Sequence, residues 1–150
     1  MVELSGGGRR LRAGLAALLL AGCATTPTAP SRATPVPRDR LLAFQDTTQE
    51  RNATLVVTRD SGILGSGCFL SFLIDGVHAA RFDVGETAQF RVAPGELLLR
   101  NGYDLIGRGL CAFGSDYWTQ RETILRPGET KRFRLSLDPS GKADIQRSGE

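Results

Sequence analysis

Of the side chains that could do chemistry in this 150-residue sequence, the scarcest are three cysteines, Cys23, Cys68 and Cys111, and one histidine, His78. A Ser-His-Asp hydrolase would have to use His78 as its base. It stands just past Asp75-Gly76, near an expected hairpin end, and no Gly-x-Ser-x-Gly elbow accompanies it. A tuned base also needs burial and charged partners, which this setting does not suggest. Structural zinc takes four ligands, and a lone histidine without a Cys-x-x-Cys pair leaves such a set short. The stretch "SGILGSG" (61–67) is rich in glycine but lacks the Gly-Lys-Ser/Thr of a phosphate-binding loop. Asp83 and Glu86 are spaced as turn residues rather than as the carboxylate pair of a glycosidase. The expectation is a protein with no catalytic residue, no metal site and no cofactor.

The chemistry that remains belongs to the cysteines, and the N-terminus decides what it is. Arg9, Arg10 and Arg12 form a basic start, Leu15 to Ala21 is apolar, and Ala21-Gly22 supplies small residues before Cys23. Basic start, short apolar run and small-residue cleavage site mark an export signal. The run is well short of the ~20 apolar residues that span a bilayer. Leu20-Ala21-Gly22-Cys23 resembles the lipobox of bacterial lipoproteins. That resemblance implies cleavage before Cys23, attachment of diacylglycerol to its thiol, and acylation of the new amine with a chain such as palmitate. One acyl chain holds a membrane only marginally, whereas two or more hold it stably. By the same resemblance, Ala24 in place of aspartate favours the outer membrane over the inner. The expected setting is therefore the bacterial cell envelope, with the domain facing the periplasm. An exported chain meets an oxidising compartment, so the remaining pair, Cys68 and Cys111, is expected to close as a disulfide.

Cleavage would remove three of the 19 basic and one of the 16 acidic residues, lowering the net charge from +3 to +1. The basic character of the whole chain is thus largely that of its signal. No basic stripe remains that would argue for nucleic acid.

Chemistry at these positions needs elements to hold them. Residues 24–38, "ATTPTAPSRATPVPR", contain four prolines and no apolar periodicity. Such a segment is expected to stay disordered and extended. At ~3.1 Å per residue it would lift a domain roughly 45 Å from the membrane. The organisation expected is a signal over 1–22, a lipidated cysteine and tether over 23–39, and a folded domain over 40–150. "RDRLLAFQDTTQER" (38–51) could form a short helix, with Leu41, Leu42 and Phe44 as its apolar edge.

From Thr54 onward short apolar runs alternate with turns: 54–59, 68–75, 77–84, 87–92, 96–101, 120–126 and 130–137. In the last, Phe133, Leu135 and Leu137 alternate with Arg132, Arg134 and Ser136. A clean period of two means one dry face and one wet face. Asp75-Gly76 is a strong hairpin turn. Seven such runs predict an all-β fold, a single small antiparallel β-sandwich or barrel-like domain. Val84-Gly85-Glu86, Pro94-Gly95-Glu96 and Pro127-Gly128-Glu129 each precede a strand, as turn chemistry requires.

Residues 55–96 also resemble a domain of unknown function found in bacterial envelope lipoproteins. The likeness lies in Val57 to Arg59, Asp75-Gly76 and Val92 to Glu96. In outline the chain is similar to PEGA-type surface domains, which are small β-sandwiches. The resemblance implies a fold and an envelope setting and carries over no active site.

One segment stands out from the strand pattern. "NGYDLIGRGLCAFGSDYWTQ" (101–120) holds both tyrosines, the only tryptophan and four glycines. Long loops are disproportionately functional, and Tyr, Trp and Arg are enriched where proteins bind. Tyr103, Arg108, Asp116, Tyr117 and Trp118 are the candidate partner-binding residues; the alternative is that the aromatic ones fold inward and cap the core. The function expected is a non-enzymatic binding or scaffolding module, held to the membrane through Cys23 and engaging another envelope protein or a glycan. The alternative is an inhibitor of a lysozyme-type secreted enzyme, or a small-ligand binder, acting through 101–118.

Overall fold

The computed structural model describes residues 25–104, 111 and 118–149. Nine strands form two sheets: β1 (Thr34–Pro35), β2 (Ala53–Arg59), β3 (Leu70–Ile74), β4 (Val77–Phe82), β5 (Glu86–Val92), β6 (Gly95–Tyr103), β7 (Thr119–Leu125), β8 (Thr130–Leu137) and β9 (Ala143–Arg147). One sheet has the order β1-β5-β2-β8-β9 and the other β4-β3-β6-β7. They pack face to face as a small β-sandwich. Each of the seven runs read from the sequence coincides with a strand, β2 to β8; β1 and β9 are additional.

The alternation in the sequence explains the layering. Leu55 and Val57 of β2, Phe90 and Val92 of β5, and Phe133, Leu135 and Leu137 of β8 all point inward and are buried. Facing them are Leu70, Phe72 and Ile74 of β3, Phe82 of β4, and Leu97 and Leu99 of β6. Phe72, Phe82 and Phe90 meet at the centre with ring centroids 5.6–6.3 Å apart. Burying each such side chain contributes about 1.5–3 kcal/mol. The β3–β4 hairpin turns through Asp75 (φ 48°) and Gly76 (φ 79°), the paired positive φ of a type I′ turn.

The sheets are not wholly antiparallel. β2 pairs with β8 in parallel, Thr54 opposite Thr130 and Arg59 opposite Leu135, and β1 pairs with β5 in parallel. Parallel pairing puts the C-terminal ends of β2 and β8 at one pole. The loop after Arg59, the Tyr103 end of β6 and the turn after Leu137 meet there: Gly65 lies against Leu137 and Tyr103. The 75–76, 94–95 and 127–128 turns lie at the opposite end.

The proline-rich segment departs from expectation. From Thr25 onward it is strapped along the sandwich rather than free. Thr25 N–H donates to the Leu137 carbonyl, and Thr26 and Ser61 exchange backbone hydrogen bonds. Further on, Thr34 N–H donates to Gly85 and Val36 N–H to Thr87, and Val36 is buried. Leu42 N–H donates to Ala79, and the Phe44 carbonyl accepts from Arg91 N–H. The strap thereby closes the side of the sandwich where β4 and β5 present unpaired edges. Among the described residues the packed unit begins at Thr25, not at residue 40. Edge strands offer rows of free backbone donors and acceptors, and proline enters an extended conformation with little further loss of backbone freedom. Backbone pairing of this kind needs no apolar periodicity, so the composition of the segment concealed it.

The helix expected over 38–51 does not form. A single 3₁₀ turn spans Arg38–Arg40 and the chain then extends, with Leu41 bridged to Ala80. Arg40 explains the pull: its guanidinium grips Glu86 at 2.5 and 2.7 Å and donates to the Arg81 carbonyl. In the extended chain Leu41 and Phe44 both pack against the core.

Candidate binding face

The disulfide between Cys68 and Cys111 is formed, with an S–S distance of 2.04 Å. It ties the chain just before β3 to the connection between β6 and β7. Of the other residues singled out in the sequence, Cys23, Arg108, Asp116 and Tyr117 lie outside the described residues. Tyr103 and Trp118 stand at the two ends of the 104–118 connection, in separate roles. Tyr103 donates its hydroxyl to the Gly141 carbonyl at 2.8 Å, and burial raises its pKa. Trp118 lies across Gly102, where an added Cβ would come within 2.8 Å of the indole, and Arg100 stacks over the ring at 5.1 Å. Both are half-buried, so each has a structural task that accounts for its position.

His78 lies on β4 opposite Leu73. Its Nε2 is buried and has no hydrogen-bond partner among the described residues. Burial, and then the neighbouring Arg81 cation, hold its pKa below the usual histidine value. Asp83 and Glu86 are turn residues: Asp83 accepts from Val84 N–H, and Glu86 accepts from Asp83 N–H while pairing with Arg40. No group of three or more metal-ligating side chains occurs among the described residues.

Two buried charges organise the pole. Arg59, at the inward-facing end of β2, is 1% exposed, and its guanidinium donates to the carbonyls of Cys68, Phe82 and Gly65 at 2.6, 2.8 and 2.8 Å. Burial pushes its pKa down to about 10, against the opposing pull of Asp83, Tyr103 and Glu86. The neighbouring residue, Asp60, turns outward and is gripped by Arg134 through Nε and the terminal nitrogen, the latter at 2.5 Å. Arg59 thus holds the loop, and Asp60 fixes the end of β2 to β8.

A concavity lies on the outer face of the five-stranded sheet. It is a groove of about 760 Å³ between that face and the strap, with Pro27–Pro30 and Ala33 as one wall. Thr58 of β2, Thr87 and Gln89 of β5, and Arg132 and Arg134 of β8 line its floor. Register makes the floor polar. Val56 sits opposite Gln89 and Arg132, and Thr58 opposite Thr87 and Arg134. Thr87 donates to the Val57 carbonyl, so the 2.9 Å contact between the two hydroxyls has Thr58 as donor. Both hydroxyls then present lone pairs to the groove. Arg134 is committed to Asp60, whereas the side chain of Arg132 is exposed and has no ion-pair or hydrogen-bond partner among the described residues. The floor therefore offers one available cation, hydroxyl acceptors and an amide side by side.

Sequence reasoning identified the wet face of β8 but assigned it no task. The signal was present in Arg132-x-Arg134-x-Ser136. What was missing was the knowledge that β2 and β5 add Thr58, Thr87 and Gln89 to that face, and that the strap walls it. No protein-family model matches the chain, and no curated protein matches it.

Proposed function

We propose that this protein is a lipid-anchored, non-enzymatic binding module of the bacterial cell envelope, and that the strap-walled groove is its binding face. The anchor rests on the lipobox-like Leu20-Ala21-Gly22-Cys23 that follows a basic, apolar leader. The observation that carries binding is Arg132: an exposed guanidinium without a partner, flanked by polar side chains in a groove of about 760 Å³. A groove of this length and polarity suits an extended segment of another envelope molecule that bears an acidic group. Guanidinium recognises carboxylate and phosphate through paired, charge-assisted hydrogen bonds. The outer membrane, facing the periplasm, is the proposed location.

Cys23→Ser tests the anchor. It should abolish acyl labelling and leave the leader uncleaved by lipoprotein signal peptidase; normal labelling would overturn it. For the groove, a photoreactive residue at Gln89, which is exposed, is crosslinked in living cells with and without Arg132→Glu. One discrete adduct that Arg132→Glu removes supports the groove. An adduct insensitive to Arg132→Glu, or none from a lipidated and folded protein, overturns it. An adduct from Trp118 instead would move the binding face to the 101–118 segment.

A further inference from the structure

The strap has a consequence for how the domain meets a membrane. Thr25 is pinned at the pole from several sides. Its N–H donates to the Leu137 carbonyl at 3.1 Å, and its hydroxyl accepts from Leu137 N–H at 2.9 Å. Thr26 is paired with Ser61 in both directions, at 2.8 and 2.9 Å. Thr28 donates to the Arg59 carbonyl and contacts the Ser61 hydroxyl at 2.7 Å. Only Ala24 separates Thr25 from Cys23. Successive Cα atoms lie ~3.8 Å apart, so an acylated Cys23 has its Cα within about 8 Å of the Thr25 Cα. A docked strap leaves the anchor no slack, and the pole must lie at the bilayer surface.

The loop beside Thr25 is suited to that position. A Cβ on Gly62 would meet the Thr25 side chain at 3.2 Å, so the chain after Ser61 runs directly against the anchor point. The next residue, Ile63, is 93% exposed, the most exposed of the large apolar side chains among the described residues. Leu64 follows and packs against the core, which fixes the base of the loop. Arg59 holds the same loop from below through the Gly65 and Cys68 carbonyls. An isolated exposed isoleucine on a protein surface needs no explanation. One on a braced loop, next to the residue from which an acyl anchor departs, faces lipid.

We propose that the domain is seated on the phospholipid surface itself through the 61–67 loop, with Ile63 entering the acyl boundary beside the anchor. This rests on the reading that Cys23 is lipidated. The seat replaces the long reach that a free proline-rich segment would have, and it leaves the groove on the five-stranded sheet open to the side. It also limits which partners reach the groove to those lying close to the membrane.

The test uses the full chain expressed in bacterial cells, with a diazirine-bearing residue at Ile63 or, as control, at Ile124. Ile124 is 59% exposed, near the far end of β7. Both positions are exposed, so neither replacement disturbs the core. After irradiation, mass spectrometry reads the phospholipid adduct at each site and the acyl mass on Cys23. At least tenfold more phospholipid adduct at 63 than at 124, on acylated protein, is the result expected. Acylated Cys23 with no excess at 63, or with a protein adduct there instead, overturns the seat and leaves the anchor standing. Absence of acyl mass overturns the anchor, and the seat falls with it.

Discussion

Replacing Arg59 by methionine removes a buried cation while keeping a long, flexible side chain of similar reach. The structure sets two opposing effects. The guanidinium donates to three carbonyls, those of Cys68, Phe82 and Gly65. A hydrogen bond from a charged donor contributes about 1.5–3 kcal/mol. Against this stands the cost of keeping the charge in a site that is 1% exposed, which depresses the pKa from the usual arginine value to about 10. That shift corresponds to about 3 kcal/mol. The carbonyl bonds outweigh it, and Arg59→Met should destabilise the domain by about 1.5–6 kcal/mol. With a urea dependence of ~2 kcal/mol per molar, the unfolding midpoint should fall by about 1–3 M. The folded pKa lies below the unfolded one, so this residue's unfavourable contribution is complete below about pH 10 and diminishes only as pH rises from there toward the unfolded value. The difference between wild type and variant should therefore be flat from about pH 5 to 9. Arg59→Lys should fall between the two, because an ammonium cannot span three separated carbonyls. A midpoint for Arg59→Met equal to or above wild type would show that desolvation wins and refute the bracing role of this side chain.

Three other outcomes are expected. Reducing Cys68–Cys111, which closes a loop of sequence separation 43, should cost about 4 kcal/mol by the chain-entropy estimate, read as a lower melting temperature; an unchanged melt would refute it. His78 should titrate below 6.5 in the NMR spectrum of the folded protein, because burial and then Arg81 oppose its charge. The unfolded chain then binds the proton more tightly, so stability falls as pH drops through the window below 6.5, and His78→Gln should remove that portion of the acid sensitivity; a midpoint at or above 6.5 would count against it. Gly102→Ala would bring a methyl within 2.8 Å of the indole and should displace Trp118 from Gly102 and Arg100, shifting the emission of the only tryptophan; an unchanged spectrum would show that the ring has room to move.

The β-sandwich was legible because a strand buried on one side writes its orientation in alternate residues. Phe133, Leu135 and Leu137 show it, and so does the Asp75-Gly76 turn, where few other residues accept both positive φ values. The Cys68–Cys111 pair was expected from the proposed export of the chain, and the disulfide is formed. The strap was not legible. Val36, Leu42 and Phe44 are held largely by backbone hydrogen bonds to β4 and β5, and backbone groups are the same in every sequence. The helix expected at 38–51 failed for a related reason: the pull of Glu86 on Arg40 acts across 46 positions.

The sequence by itself determined the class of fold and the alternation that sets Arg132 and Arg134 on the outer face of β8, because each depends on local pattern, though Ser136 on that face is buried. Only the tertiary structure decided that β2 and β8 run parallel, that Arg59 is buried beneath a loop, that Thr58, Thr87 and Gln89 join Arg132 on one floor, and that Thr25 is fixed beside Gly62. Those facts depend on register and on contacts between residues far apart in the chain, where local preference carries no information and the closing of edges and burial of charge decide.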